Sequence, residues 1–320
     1  MKVLANDGIA ASGKVALEKE GFTVVTETVA QENLIDTINA EGYEVLLVRS
    51  ATTVRKDLMD ACPGLKMIGR GGVGMDNIDV EYGRNKGLVV FNTPAASSQS
   101  VAELVMAHLF GAVRFMYDSN RQMPEKGNSE FKVLKKKYAK GIELRGKTLG
   151  IIGFGRIGQA LAQYALGCGM EVIAHDAFGG ESYDVAMSVP GNYFSVKIKN
   201  HSMDDVLSNA DFLSFHIPGG QEPVIGTAEF AKMKDGVVIA NAARGGVIDE
   251  NELVNALDSG KVAHAALDVF IGEPKPNADL LKHEKLSLTP HIGAATAEAQ
   301  DRIGTELASI IINHYKSVKA

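Results

Sequence analysis

The sequence predicts an α/β protein that contains two parallel-sheet domains. Two stretches, one before residue 95 and one after residue 145, alternate short β-rich runs with helical segments. This alternation is typical of a parallel sheet covered by helices. A third observation is a C-terminal segment with helical spacing, which could pack back on the first domain and make that domain discontinuous. The predicted architecture is therefore two Rossmann-like or flavodoxin-like domains with a cleft between them.

Composition places the chain among folded proteins of enzyme size. Its 320 residues are 45% hydrophobic and 22% charged, and the formal net charge is −6. This balance excludes wholesale disorder and gives no general attraction for nucleic acid or an anionic membrane. The two cysteines, Cys62 and Cys168, suggest neither a disulfide framework nor a zinc motif, so we expect no metal site and a cytoplasmic location. We also expect neither a signal peptide nor a membrane span.

Five β-rich runs define the first predicted domain. They are KVLAND, FTVVTE, VLLVRS, KMIGRGG and LVVFN, with helical segments near residues 11–20, 30–40 and 54–61. From Ser98 an apolar stripe at helical spacing continues to Pro124, which predicts one long helix that bridges the domains. The Lys-rich stretch 125–140 is expected to form an exposed connection.

The second predicted domain repeats the alternation. Its β-rich runs are TLGIIG, EVIAHD, DFLSFHIP, VVIANAA, AHAALDVF and KLSLTPH. A turn-rich insertion, to which we assign no role, lies around residues 178–200. The final helical segment, from residue 297 to about residue 316, places Ile303, Leu307, Ile310 and Ile311 at helical spacing.

A glycine-rich turn in the second domain indicates a dinucleotide site. The run LGII leads directly into Gly153, Gly155 and Gly158 in the spacing GxGxxG, and helical sequence follows. Asp176 ends the next β-rich run, 18 residues after Gly158, where the acid that binds a ribose belongs. A carboxylate there accepts from ribose hydroxyls and repels a 2′-phosphate, so NAD is favoured over NADP. The alternative is an ordinary βα turn with a solvated aspartate.

Three polar side chains follow predicted strands of the second domain. They are Arg244 in ANAARGGVID, Glu273 in DVFIGEP and His291 in SLTPHIGA. Ligands in open α/β sheets bind outside the carboxyl ends of the strands, so one site could collect all three. Each also has an ordinary interpretation, namely a surface loop charge, a solvated turn acid and a core histidine.

At these residues the chain resembles the D-isomer-specific 2-hydroxyacid dehydrogenases. The matching blocks are VRSATTV, MIGRGGVGMDNID, FNTPAASSQSVAELV, ELRGKTLGIIGFGRIGQAL, NAARGGVIDE, ALDVFIGEP and TPHIGA, in the order of that family and over nearly the whole chain. Within the family the resemblance is strongest to the phosphoglycerate dehydrogenases that lack a C-terminal regulatory domain. We therefore do not expect feedback inhibition by serine through such a domain.

The resemblance implies an Arg–Glu–His site. Arg244 would hold a 2-oxo acid through its carboxylate and polarise the adjacent carbonyl, since a planar guanidinium pairs with carboxylates in a bidentate manner. His291 would exchange a proton with the substrate oxygen as general acid or base. Glu273 would accept from the other ring nitrogen of His291 and orient it.

The resemblance also transfers further cofactor contacts. It places Arg156 and Ile157 on the phosphates and Ala242, Asp268 and Ala294 around the nicotinamide. His216, Ile217 and Pro218 resemble the block that the family places near the adenosine, although the GGQEPV that follows departs from its usual continuation. Accordingly we predict an NAD-binding domain over residues 97–291 and a discontinuous substrate-binding domain over residues 1–96 and 292–320.

Candidate groups for a substrate phosphate lie in the first domain. Arg49 ends VLLVRS and Arg70 precedes Gly71, at the carboxyl ends of two predicted strands. The amides of Gly72, Val73 and Gly74 could bind the substrate carboxylate as an anion nest. Asn92 is a further candidate for contact with the substrate or the cofactor. Strand-end arginines are also commonly solvated, and Lys135, Lys136 and Lys137 fit a solvated loop face better than a site.

The expected function is the NAD-dependent oxidation of D-3-phosphoglycerate to 3-phosphohydroxypyruvate, at the entry to serine biosynthesis. One alternative is a reductase of hydroxypyruvate, glyoxylate or another D-2-hydroxyacid. A less favoured alternative from another class is an NADH-sensing corepressor or scaffold on the same fold. A homodimer built through the NAD-binding domains is also implied by the resemblance.

Overall fold

The computed structural model describes residues 1–319, the side chains at positions 189, 318 and 319 excepted. The chain divides into two compact units. Unit 1 comprises Met1–Ser98 with Ala294–Ala320, and unit 2 comprises Gln99–Gly293. The α/β class and the discontinuous first domain are thus confirmed.

Unit 1 is a five-stranded parallel sheet with helices on both faces. Its strands are β1 (Lys2–Ala5), β2 (Thr23–Val25), β3 (Val45–Val48), β4 (Met67–Arg70) and β5 (Val89–Asn92), in the order β2-β1-β3-β4-β5. Its helices are α1 (Ala11–Lys19), α2 (Leu34–Glu41), α3 (Lys56–Ala61), α4 (Val80–Asn85) and α13 (Ala297–Lys319), with a 3₁₀ turn at Gln31–Asn33. The short helix α4 was not predicted.

The C-terminal helix completes unit 1. Leu307 and Ile311 of α13 are buried with Leu17 of α1 on one face of the sheet, while α2 and α3 cover the other face. The two helices touch at glycines, because a Cβ on Gly13 would lie 2.3 Å from the carbonyl oxygen of Gly304. Close helix contact therefore depends on the absence of side chains at these two positions.

Unit 2 is a six-stranded parallel sheet, also covered on both faces. Its strands are β6 (Thr148–Ile152), β7 (Glu171–His175), β10 (Phe212–Phe215), β11 (Val237–Asn241), β12 (Val262–Leu267) and β13 (Leu286–Leu288), in the order β13-β12-β11-β10-β6-β7. Its helices are α5 (Ser98–Val113), α6 (Met116–Lys126), α7 (Phe131–Lys137), α8 (Arg156–Gly167), α9 (Met203–Asn209), α10 (Thr227–Lys232), α11 (Glu250–Ser259) and α12 (Ala278–Leu281). Helices α5 and α8 cover one face, and α9, α10 and α11 cover the other. Every residue of β10 and β11 is buried, as strands covered on both faces require.

The predicted single helix from Ser98 to Pro124 is wrong. Phe115 has a left-handed backbone with φ of 55°, which ends α5 and lets α6 start in a new direction. The Phe115 ring packs against His264 and Tyr138, with centroids 5.6 and 6.0 Å apart, so an aromatic cluster holds the break. Pro124 lies inside α6, and the Lys-rich segment expected to be a connection contains α7.

The insertion predicted as turn-rich is an antiparallel hairpin. Strands β8 (Ser182–Val189) and β9 (Asn192–Lys199) pair along their whole length. Val185 and Ile198 lie on the inner face, where they are buried in the core beside α8. Gln163 of α8 also donates to the carbonyl of Ala186 at 2.7 Å. The hairpin is thus a packed part of unit 2.

Within the described residues, no helix is long and apolar enough to cross a membrane. No group of three metal-ligating side chains occurs in the same residues.

Candidate active site

The three glycine positions after β6 differ in why they accommodate glycine. Gly153 has φ of +90°, and a Cβ there would lie 2.5 Å from the carbonyl oxygen of His216. A Cβ on Gly158 would lie 2.4 Å from the carbonyl oxygen of Gly153. At Gly155 a Cβ would meet no atom within 4 Å. Gly153 and Gly158 therefore serve the fold itself, whereas Gly155 leaves open space at the N-terminus of α8.

Asp176 follows β7 and faces this turn. Its Oδ2 accepts from the amide of Phe154 at 2.9 Å, and its Oδ1 accepts from the amide of Phe178 at 3.0 Å. The side chain is partly exposed. Because each carboxylate oxygen can accept two hydrogen bonds, Asp176 retains acceptor capacity for hydroxyl groups of a ligand.

The inserted hairpin holds the backbone around Asp176. This contact was not predicted from the sequence. The Asn200 side chain, just after β9, accepts from the amide of Asp176 at 2.9 Å and donates to the carbonyls of Asp176 and Gly180, each at 3.0 Å. Tyr183 of β8 packs its ring on Phe154, with centroids 4.8 Å apart. Burial, and then the nearby charge of Asp176, raise the pKa of Tyr183.

His216 follows β10 beside the glycine turn. Its Nε2 lies 2.9 Å from Ser214 Oγ, whereas its buried Nδ1 has no hydrogen-bond partner among residues 1–319. Burial lowers the pKa of His216 to about 4, so the ring is neutral near pH 7. Ile217 is half-buried and Pro218 is exposed after it. Arg156 is exposed and Ile157 half-buried in the first turn of α8.

His291 and Glu273 form a close pair in unit 2. His291 Nδ1 lies 2.7 Å from Glu273 Oε2, and Glu273 Oε1 accepts from the amide of Phe270 at 2.9 Å. The two side chains are 44% and 34% exposed, so the pair is accessible from solvent. Since carboxylate oxygens only accept, the geometry places a proton on Nδ1 and leaves Nε2 as the acceptor of the neutral ring.

The loop that carries His291 is held from both sides by Asp268. His291 itself has a left-handed backbone with φ of 54°. Asp268 is 2% exposed and accepts from Thr289 Oγ1 at 2.7 Å and from the amides of Ile292 and Gly293 at 2.8 Å each. The resemblance suggested Asp268 as a nicotinamide contact, but these bonds direct its carboxylate into residues 289–293.

Arg244 follows β11 at the same sheet edge. The Asn241 side chain accepts from the amide of Ala243 and donates to the carbonyl of Arg244, both at 3.0 Å. Arg244 is half-buried and donates from Nη1 to the carbonyl of Ala243 at 2.6 Å. A Cβ on Gly245 would lie 2.0 Å from the carbonyl oxygen of Phe270, so this loop packs directly on the segment before Glu273.

Sheet register brings the three loops together. Asn241 pairs with Leu267, and Leu267 pairs with Leu288, at the carboxyl ends of three adjacent parallel strands. The loops that carry Arg244, Glu273 and His291 therefore begin side by side along one edge of the unit 2 sheet. Ala242 is half-buried in the first of these loops. Ala294 belongs to unit 1, where its carbonyl accepts from Gln300 Nε2 at 2.7 Å.

Unit 1 places Arg49 and Arg70 on adjacent strand ends. Arg70 pairs with Val48 in the sheet, and Arg49 follows Val48. Asn77, which sequence reasoning missed, joins them: its Oδ1 accepts from Arg70 Nε at 3.0 Å and its Nδ2 donates to the carbonyl of Arg49 at 2.7 Å. The Arg49 guanidinium makes no hydrogen bond within the described part of the chain, and burial lowers the pKa of Arg49.

The turn at residues 72–74 is only partly available to an anion. The amide of Gly72 donates to Thr93 Oγ1 at 2.9 Å, and Asn92 Nδ2 donates to the carbonyl of Val73 at 2.6 Å. Asn92 and Thr93 thus brace the turn. The amides of Val73 and Gly74 donate no hydrogen bond to residues 1–319 and are the groups left for a ligand.

The lysine run lies on an exposed helix in unit 2. Lys135, Lys136 and Lys137 end α7 and are all exposed. Lys137 pairs with Asp118 of α6 at 2.7 Å. Lys137 therefore links two surface helices.

Comparison with known proteins gives one consistent family. Residues 106–293 match the family described as D-isomer specific 2-hydroxyacid dehydrogenase, NAD binding domain. The chain is 42% identical to a hydroxypyruvate reductase of Thermotoga maritima, over 93% of this chain and 92% of that protein. It is 38% identical to a D-3-phosphoglycerate dehydrogenase of Archaeoglobus fulgidus, over 99% of this chain but 58% of that protein.

The similar phosphoglycerate dehydrogenases are longer proteins. This chain covers between 48% and 58% of their lengths. Among solved structures, a glyoxylate reductase from Paecilomyes thermophila has a TM-score of 0.78 at 30% identity, over 99% of this chain and 94% of that one. The comparisons therefore include relatives that act on unphosphorylated acids as well as on phosphorylated ones.

Proposed function

This chain belongs to the D-isomer specific 2-hydroxyacid dehydrogenase family, and we propose that it oxidises D-3-phosphoglycerate to 3-phosphohydroxypyruvate with NAD. The observation that carries the chemistry is the 2.7 Å pair of His291 and Glu273 beside the Arg244 loop. The observation that favours a phosphorylated acid is the half-buried guanidinium of Arg49, which makes no hydrogen bond to residues 1–319 and lies on the strand end next to Arg70.

The residues of unit 2 divide the reaction between them. Arg244 binds the carboxylate and the 2-oxygen of the substrate through its planar guanidinium. Neutral His291 accepts the hydroxyl proton at Nε2 during oxidation and returns it during reduction. Glu273, fixed by the Phe270 amide, keeps the His291 proton on Nδ1. The nicotinamide, when bound, takes or gives the hydride.

The glycine turn fits a dinucleotide. The open space at Gly155 admits a pyrophosphate to the first amides of α8, at Arg156 and Ile157. Asp176 accepts from ribose hydroxyls and repels a 2′-phosphate, which supports NAD rather than NADP. His216, Ile217 and Pro218 are the residues proposed for the adenosine, and Ala242 and Ala294 are those proposed for the nicotinamide. Asp268 acts there through the loop that it holds.

Unit 1 carries the groups proposed to bind a phosphate and a carboxylate of the substrate. Arg49 and Arg70 bind the distal phosphate, since two guanidinium groups on adjacent strands match its charge and geometry. The amides of Val73 and Gly74 bind the carboxylate, and Asn92 and Gly72 hold that turn in shape.

A second candidate function is the reduction of hydroxypyruvate or glyoxylate. It is favoured by the 42% identity to a hydroxypyruvate reductase that this chain matches over 92% of that protein's length. In that case the substrate has no distal phosphate, and Arg49 and Arg70 would not contact the group that distinguishes one 2-hydroxy acid from another.

Steady-state assays with a panel of acids test the proposal. Arg49→Ala should lower kcat/KM for D-3-phosphoglycerate by about 10- to 100-fold, the value of one charged hydrogen-bonding group, and leave activity with D-glycerate nearly unchanged. Arg84→Ala, an exposed arginine of the same unit, serves as the matched control. Equal turnover of D-glycerate and the phospho acid by the unmodified protein would favour the reductase. Tight NADH binding without turnover of any 2-oxo acid would instead favour a sensor.

We also propose a homodimer built through unit 2. Helices α5, α6 and α7 and the segment after them expose large apolar side chains, a pattern typical of an interaction surface. These are Phe110, Met116, Met123, Phe131, Val133 and Ile142. Sedimentation of the unmodified protein and of a Phe131→Ser, Val133→Ser variant would test this, because only the variant should sediment as a monomer.

A further inference from the structure

A buried histidine of α5 joins the loop that carries His291. His108 is 7% exposed, and both of its ring nitrogens have hydroxyl partners at the end of β13. Nδ1 lies 2.9 Å from Ser287 Oγ, and Nε2 lies 3.1 Å from Thr289 Oγ1. The partners are 179 and 181 residues away in sequence, so the contact exists only in the folded unit.

The hydroxyl of Thr289 connects His108 to Asp268. It donates to Asp268 Oδ1 at 2.7 Å, because a carboxylate can only accept. Thr289 therefore accepts from His108 Nε2, and Ser287 donates to Nδ1. His108 thus has one defined tautomer, with its proton on Nε2. Burial lowers the pKa of His108 against the opposing charge of Asp268, in keeping with a neutral ring.

The hydrogen bonds of His108, Thr289 and Asp268 reach residues before and after His291 in the chain. Asp268 binds the Thr289 side chain before His291 and the amides of Ile292 and Gly293 after it. Between them His291 keeps its left-handed backbone, which is unfavourable for a non-glycine residue and persists only where its surroundings impose it. The direction of the His291 ring therefore depends on bonds that begin at α5.

We propose that His108 is a positioning residue for the reaction, which holds residues 289–293 so that His291 presents Nε2 to the substrate. The proposal rests on the proposed role of His291 in proton transfer. His108 does not touch the reacting atoms. It acts through Thr289 and Asp268, and its loss loosens the loop while the glycine turn stays intact.

Hydrogen exchange and kinetics of the full chain test this. In His108→Leu, which keeps bulk but removes both bonds, the amides of Ile292 and Gly293 should exchange about tenfold faster. The same variant should lose about tenfold in kcat, since small displacements of catalytic groups are costly, with NADH affinity within about twofold. His108→Gln carries one donor and one acceptor and should restore kcat to within about threefold of the unmodified protein.

Two further variants make the test specific. His264→Leu removes another half-buried imidazole of unit 2, one bonded to Tyr117, and should leave exchange at residues 289–293 unchanged. Thr289→Val should reproduce the His108→Leu effects, and the double variant should be no worse than Thr289→Val alone. Thr289→Val also replaces His108→Leu if the latter does not fold.

Unchanged exchange of the Ile292 and Gly293 amides in His108→Leu overturns the proposal, whatever happens to turnover. Faster exchange with unchanged kcat overturns it as well, because the loop would then not limit the chemistry. If the unmodified protein turns over no 2-oxo acid, the proposed function fails. The exchange result still decides whether His108 holds the loop.

Discussion

Asp176 and Asp268 occupy matching places in the unit 2 sheet and are used in opposite ways. Each is the first residue after a parallel strand, β7 or β12. Asp176 is partly exposed and accepts two backbone amides, whereas Asp268 is 2% exposed and accepts three donors from one loop. The partly exposed carboxylate of Asp176 is the one proposed to bind a ligand, whereas the buried carboxylate of Asp268 holds the chain around His291.

The largest effect is expected at Asp268. Asp268→Ala removes the charged acceptor of the Thr289 hydroxyl and of the Ile292 and Gly293 amides, the last of which is buried, and this should cost about 3 kcal/mol or more. For a unit of this size that is a fall of about 6–12 °C in Tm. Turnover should fall by about 100-fold because His291 loses its orientation. Thermal unfolding and kcat are the measurements.

Asp268→Asn is the matched variant, since it keeps the shape and one accepting oxygen. Its Tm and kcat should lie between those of the alanine variant and the unmodified protein. A native Tm in Asp268→Ala would remove the distinction between the two aspartates.

The second effect is expected at Asp176 and concerns chiefly the cofactor. If Asp176 binds the ribose as proposed, Asp176→Ala removes charge-assisted hydrogen bonds worth about 2 kcal/mol, so KM for NAD should rise about 30-fold. Tm should fall less than in Asp268→Ala, because Asp176 accepts only two amides and the bond from Phe178 is exposed, although Phe154 is buried. KM for NADP should rise less than KM for NAD, since the repulsion of a 2′-phosphate is also removed.

Titration of both dinucleotides by fluorescence and parallel kinetics measure this preference. If KM for NAD and for NADP rise equally, Asp176 does not read the ribose, and the contrast with Asp268 fails.

Gly158 and Gly155 of the glycine turn offer a similar contrast without a charged side chain, since Gly158 is needed by the fold and Gly155 leaves open space. Gly158→Ala places a Cβ 2.4 Å from a backbone oxygen, so we expect a loss of about 1–3 kcal/mol of stability from overpacking. Gly155→Ala meets only open space and should change stability by less than about 1 kcal/mol, the difference between these residues as helix N-caps. Its NADH affinity should nevertheless fall about tenfold, as one displaced phosphate hydrogen bond would cause. Denaturant unfolding should therefore show the larger loss of stability in Gly158→Ala, and NADH titration should show the larger loss of affinity in Gly155→Ala.

Local signals in the sequence were enough to predict much of this molecule. Ten of the eleven strands of the two parallel sheets lie within predicted β-rich runs, and β12 begins one residue before its run, because a strand covered on both faces is a continuous apolar run wherever it occurs. The glycine turn was predictable from its spacing together with the strand before it, the helix after it and Asp176 at the end of the next strand. The pairing of His291 with Glu273 was implied by the family resemblance and is present in the structure.

The residues that sequence reasoning missed act over long distances. Asn77, Asn200 and His108 bond to partners 28, 24 and 181 residues away, and no local pattern records such contacts. The left-handed Phe115 was missed for the same reason, since its ring packs on His264 and Tyr138, which are distant in sequence. Asp176 and Asp268 have similar sequence contexts, so only burial and donor count separate their uses.

The smallest expected effect tests whether the inserted hairpin supports Asp176, the aspartate proposed to bind the cofactor, rather than the His291 loop held by Asp268. Asn200→Ala removes three hydrogen bonds around Asp176 and Gly180 but leaves the carboxylate in place. A loosened carboxylate binds less well than a fixed one, so KM for NAD should rise about three- to fivefold, less than 1 kcal/mol, with kcat unchanged. Asn209→Ala, at an exposed asparagine of α9, is the control and should match the unmodified protein. A fall in kcat with KM unchanged would instead indicate that the hairpin acts on the groups proposed for the chemical step, at Arg244, Glu273 and His291, rather than on cofactor binding.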